Sequence, residues 1–101
     1  MMTNDLFETL KAESNYKIEK QFPHRIRNIG KTEFVNESHH SAGYIQVTLN
    51  GKLELKHRII SEQFTFNDVP KKTHVDHINH IRIDNRIENL RWVSQKENQA
   101  N

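Results

Sequence analysis

The segment YIQVTLNGKLELKH constrains the fold of this chain more than any other stretch. Asn50-Gly51 stands between two runs of alternating apolar and polar residues. This is a strong hairpin signal, because Asn and Gly tolerate the positive φ that a tight turn demands. A two-residue loop would pair Val47 with Glu54 and Gln46 with Leu55, leaving the apolar residues of the two strands on opposite faces. A three-residue loop of Leu49, Asn50 and Gly51 would instead pair Val47 with Leu53 and Ile45 with Leu55, making one continuous apolar face. A half-buried sheet needs such a face, so the second register is expected.

Around this hairpin the pattern is mixed. In residues 1–15, Leu6, Phe7 and Leu10 allow one or two helical turns or a frayed terminus, and this part reads as an N-terminal extension. YKIEKQFPHRIRN reads as extended segments around a break at Pro23, TEFVNES as a short strand, and HHSAG as a loop. HRIISEQF, with Ile59, Ile60 and Phe64, reads as a short amphipathic helix. Beyond Pro70, THVDHIN is extended, HIRIDNRIEN a loop and LRWVS a strand in which Trp92 alternates with Leu90 and is expected in the core. QKENQAN begins a helix, with Ser94 as N-cap and Glu97 completing a capping box. The expected class is α+β. A β-rich subdomain with a short helix occupies residues 16–70, and a strand-loop-strand-helix unit occupies 71–101.

Composition narrows the function. A chain of 101 residues with 34% hydrophobic content has a small core. There is no cysteine, which excludes disulfides and thiolate zinc sites, so any metal must be held by His, Asp, Asn or Glu. Net charge is only +2, but residues 1–15 hold three acids against Lys11, so the rest of the chain carries +4. That distribution favours a polyanionic partner. No apolar run approaches the ~18 residues of a membrane span, and MMTNDLFETLKAES lacks the apolar core of a signal peptide. A soluble cytoplasmic protein with no membrane partner is expected.

Thr73 to Asn98, THVDHINHIRIDNRIENLRWVSQKEN, is crowded with Asn and Asp, which compete for nearby backbone groups and are poor in helix or strand interiors. Hydrolysis of a phosphodiester needs a base for water, a cation to neutralise charge on the phosphate and leaving oxygen, and groups that fix both. Asp76 and His77 are adjacent, and on a regular strand they would point to opposite faces. A break at the strand end is therefore expected if both are to meet one phosphate.

The segment VDHIN…DNRIENLRWVS…EN resembles the HNH nuclease motif, in the variant of phage intron-encoded homing endonucleases whose third signature residue is Asn. His77 matches the first position, Asn89 the second, twelve residues on, and Asn98 the third, nine residues later. GYIQVTLNGK…KHRII…F also resembles the segment that precedes the motif in such phage proteins. The resemblance implies a ββα-metal (His-Me finger) module and a metal-dependent DNA endonuclease, a homing or phage-related nicking enzyme. It implies one divalent cation, Mg²⁺ or Mn²⁺, held by Asp76 and Asn98, with His77 as general base and Asn89 orienting the histidine or pinning the loop. His80 followed by Ile81 departs from the family, where Gly or His is commonly followed by a polar residue.

The implied partner is double-stranded DNA. Backbone contacts are expected from Lys71, Lys72, Arg82, Arg86 and Arg91 near the site, from His57 and Arg58 at the helix start, and from Arg25 and Arg27 in the N-terminal sheet. His74 and His80 read as solvated or phosphate-contacting side chains. Phage homing enzymes usually carry a further DNA-binding module after this helix, so target recognition is expected from the N-terminal part, a homodimer or an additional specificity module. The competing reading is an HNH-fold protein that binds nucleic acid or another protein and cuts weakly or not at all.

Overall fold

The computed structural model describes residues 6–67 and 72–99, the last two for their backbone only. Its architecture is α+β, with antiparallel sheets arranged around one central helix. Strands β1 (Phe7–Thr9), β2 (Tyr16–Glu19) and β3 (Ile26–Asn28) form the first sheet. Alternation along β2 buries Tyr16 and Ile18 and leaves Lys17 and Glu19 toward solvent. The expected helical turn near the N-terminus is instead β1, paired through Phe7 with Glu19 and Thr9 with Lys17. So short a segment cannot repay helix nucleation, whereas the open edge of β2 supplies ready backbone partners.

The second sheet comprises β4 (Glu37–His39), β5 (Ile45–Leu49) and β6 (Lys52–Leu55). Its hairpin register is the two-residue one, with Val47 opposite Glu54 and Gln46 opposite Leu55. The expected three-residue loop is thus corrected. Asn50 at φ 51° and Gly51 at φ 81° make the tight turn whose twist suits the flanking strands. Turn geometry prevails over apolar pairing, and Leu53 is left exposed. Strand β4 begins later than TEFVNES suggested, but Phe34, upstream of it, forms an isolated bridge with Arg27 of β3.

Helix α1 (Lys56–Phe64) follows β6 directly. It packs against β5 and β6 on one side and against β7 (His74–His77) and β8 (Leu90–Val93) on the other. Its Ile59 joins Leu10, Tyr16, Ile18, Ile26, Val47 and Leu49 in the main core, with Val35 and Phe64 at the margin. Ile60, Leu90 and Val93 are buried as well. Trp92, expected in the core, is only half-buried, its indole N–H donating to the Thr65 carbonyl. The buried Lys56 ammonium donates to Glu37 and to the Pro23 carbonyl. The last described element is α2 (Gln95–Gln99), which packs on β7 and β8. The capping box is formed: Glu97 N–H donates to Ser94 Oγ at 3.0 Å, and Ser94 N–H to Glu97 Oε1 at 2.8 Å. Among the described residues no helix is long and apolar enough to cross a membrane.

Candidate functional site

The β7–β8 ladder decides where the two adjacent polar residues go. Asp76 lies opposite Arg91 and His77 opposite Leu90, so pairing stays regular through His77. The break comes at the strand end, after His77: His80 N–H donates to the His77 carbonyl, turning the chain at once. His80 takes φ 65°, a left-handed conformation that a non-glycine residue adopts at a cost.

His77 is buried, and its Nε2 lies 2.7 Å from Asn85 Oδ1. An amide oxygen only accepts, so Nε2 donates, and in the neutral ring Nδ1 is then the nitrogen with the free lone pair. Asn85 itself is buried. Sequence reasoning assigns it no role, since nothing in a loop Asn eight residues after a His announces a contact with it.

Asn89 does not contact that ring; it ties the loop. Its Oδ1 accepts from Asn79 N–H at 3.0 Å, and its Nδ2 donates to Asn79 Oδ1 at 2.9 Å and to the Asp84 carbonyl at 2.8 Å. Asn79 donates in turn to Asp84 Oδ2 and accepts from Ile81 N–H. The Asp84 carboxyl is held well below the usual carboxylate range, chiefly by its hydrogen bond with the Arg86 guanidinium.

Asp76 is buried, with Oδ2 accepting from Arg91 Nε at 3.0 Å and within 3.0 Å of a second guanidinium nitrogen. Asn98 lies in α2, against the β7–β8 pair, but its side chain falls outside the described residues. Among the described residues no group of three or more His, Cys, Asp or Glu could hold a metal ion. The carboxylate of Asp76 is nevertheless a hard oxygen donor that already faces a cation, which is the donor chemistry Mg²⁺ or Mn²⁺ requires.

A family model described as HNH endonuclease matches residues 54–100. The "Uncharacterized HNH endonuclease L247" of Acanthamoeba polyphaga mimivirus is 35% identical over 79 residues, covering 72% of this chain and 20% of that protein. Over residues 54–100 the chain is thus similar to the HNH endonuclease family. A solved structure, "DNA binding and cleavage by the HNH homing endonuclease I-HmuI", superimposes with a TM-score of 0.72 over 93% of this chain and 55% of that one, at 24% identity, a likeness of fold. The chain spans about a fifth of the mimivirus relative and about half of the structural neighbour.

The basic residues around the HNH site are held by neighbours, yet several keep about half of their side chain exposed. Arg86 pairs with Asp84 and Glu88, and Arg91 with Asp76. Arg82 donates to the Ala42 carbonyl and lies 5.1 Å from the Tyr44 ring centroid. Arg58 donates to the Thr73 carbonyl and lies over Trp92. Lys72 is half-buried, and Lys71 lies outside the described residues. Farther off, Arg25 pairs with Glu19 and lies 4.0 Å from the centroid of Phe34, and Arg27 lies over Phe7. Lys17 stands opposite Arg27, so the outer face of the first sheet is basic and aromatic. His74 is half-buried and hydrogen-bonded to Thr73, and His80 is exposed.

His57 is in a different position from its neighbour Arg58. It is 6% exposed, beside His77, and its Nδ1 is buried without a hydrogen-bond partner. Burial first, then the charges of His77 and Arg58, push its pKa down to about 4 from 6.5. The unfolded chain therefore takes up this proton first as pH falls, so stability drops between pH 6.5 and 4 and is unaffected above that window. The expected loss from His57 is on the order of 3 kcal/mol, and the burial-depressed His24 acts in the same direction. Thermal melts between pH 7 and pH 4.5 check this: His57→Phe should melt with a visibly shallower pH dependence than the wild type.

Proposed function

We propose that this chain is a metal-dependent DNA endonuclease that hydrolyses one phosphodiester per site. The observation that carries the reading is the buried His77, with Nε2–H committed to Asn85 and the Nδ1 lone pair left to act as a base. In this mechanism His77 Nδ1 takes the proton of the attacking water, while Asn85 holds the ring in the tautomer that allows it. Asp76 and Asn98 would hold Mg²⁺ or Mn²⁺, which when bound neutralises charge on the phosphate and the departing 3′ oxygen. Asp76 and His77 occupy the last rungs of the ladder, and the scissile phosphate would lie at that strand end. Asn89 keeps that end in shape by tying Asn79 and Asp84 together.

The half-exposed Arg86 and Arg91, with Lys71 and Lys72, would contact the DNA backbone beside the site. Arg58 and Arg82 would do so through the parts of their guanidinium groups not already engaged. Residues 71–101 are the cutting unit in this reading. Residues 16–70 bind the duplex through Arg25 and Arg27, and a second copy or a further module adds target choice. The likeness to I-HmuI, a homing endonuclease described as binding and cleaving DNA, supports DNA as substrate, as does the resemblance to phage homing enzymes generally.

The test is conversion of supercoiled plasmid to nicked or linear forms with Mg²⁺ or Mn²⁺ at matched purity. EDTA is expected to abolish it, and excess Mg²⁺ to restore it. Cleavage that persists in EDTA would overturn metal dependence, and binding with no cleavage in any divalent metal would overturn the nuclease reading.

A further inference from the structure

Three rings meet where α1 approaches the end of β7. The His57 and His77 centroids are 4.7 Å apart, Tyr44 lies 4.9 Å from His57 with its plane 29° away, and Tyr44 lies 5.9 Å from His77 at 27°. Arg82 covers the Tyr44 ring and is anchored by its bond to the Ala42 carbonyl, in the turn that leads to Tyr44. His77 thus has two kinds of restraint. Asn85 fixes which nitrogen carries the proton, and the ring contacts limit how the imidazole plane can rotate.

We infer that His57 and Tyr44 are positioning residues for the His77 imidazole, supplied from outside the strand-loop-strand-helix unit that carries it. The inference rests on His77 being the base, as proposed above. Tyr44 precedes β5 and His57 lies in the first turn of α1, so the β-rich subdomain would complete the cutting site besides binding DNA.

Burial separates this role from a phosphate contact by His57. The side chain is 6% exposed, whereas phosphate contacts need an accessible tip. Its buried Nδ1 has no partner, a cost to the fold that an apolar ring would avoid. The depressed pKa keeps the ring uncharged beside a histidine that must accept a proton. A planar neutral ring is therefore the property in use. A misplacement of about 1 Å in a reacting group can cost about a hundredfold in rate.

The experiment compares wild type, His57→Ala, His57→Phe, Tyr44→Ala and Tyr44→Phe in plasmid nicking and in duplex binding, with melting curves to verify folding. His57→Ala and Tyr44→Ala are expected to lose roughly ten- to a hundredfold in kcat, with DNA Kd within about twofold. Phe at either position should restore kcat to within about threefold. A companion measurement is independent of cleavage: NMR relaxation of the His77 side chain should report a rigid ring in the wild type and in His57→Phe, and a mobile ring in His57→Ala.

The inference is overturned if His57→Phe is as impaired as His57→Ala, since the nitrogen would then be what matters. It is overturned equally if Kd moves and kcat does not, or if the alanine variants cut normally. A wild type that never cuts would sink the nuclease reading alone, because the relaxation measurement still reports on the rings.

Discussion

Replacing His77 with alanine is expected to lower plasmid nicking by about a thousandfold, within the range by which a positioned general base accelerates proton transfer. DNA affinity should stay within about twofold, because a side chain only 5% exposed offers little surface to a bound duplex. The imidazole also contributes to the fold through its bond to Asn85 and its contacts with His57 and Tyr44. Its removal should therefore cost about 2–3 kcal/mol of stability. For that reason the assay belongs well below the melting temperature, with His77→Gln as a second variant that keeps a polar side chain but cannot accept a proton from water. Initial rates of supercoiled-to-nicked conversion decide the matter. If His77→Ala cuts within tenfold of the wild type, His77 is not the base.

The other large effect is expected at Asn89. Truncation to alanine removes three side-chain hydrogen bonds and strands the Asn79 N–H and the Asp84 carbonyl in a partly buried knot. With unsatisfied buried groups costing about 1–3 kcal/mol each, the loss should reach about 3–5 kcal/mol, a large share of a small domain's stability. Asn89→Asp is the sharper probe. It keeps the acceptor for Asn79 N–H but replaces both donations with oxygen facing oxygen, so it should destabilise at least as much as alanine. Urea melts give the stabilities. If Asn89→Asp is as stable as the wild type, the amide is not what holds the loop. Nicking should fall with either variant even under folded conditions, because the loop also carries Asn85, the partner of His77.

Much of this architecture is legible in local sequence because local chemistry produces it. Asn50-Gly51 announces the hairpin, Ser94 and Glu97 announce the start of α2, and the apolar spacing of Ile59, Ile60 and Phe64 announces α1. The hairpin register departs from expectation because the rule that apolar residues share a face is weaker here than the positive φ of both turn residues. The N-terminal strand departs from it for a related reason: a three-residue strand has no meaningful period, and its stability comes from a partner strand distant in sequence.

The same division runs through the site. By itself the sequence determined the motif spacing of His77, Asn89 and Asn98, the adjacency of Asp76, and the absence of thiols. With them came the resemblance to HNH nucleases, which implies an oxygen-ligand, phosphodiester-directed chemistry. Only the tertiary structure decided that Asn85 rather than Asn89 meets the His77 ring, that Arg91 covers Asp76, and that His57 and Tyr44 stand beside the imidazole. Those contacts join residues far apart in the chain. They depend on how α1 and the loops pack against the β7–β8 ladder, a distance relation that no local spacing encodes.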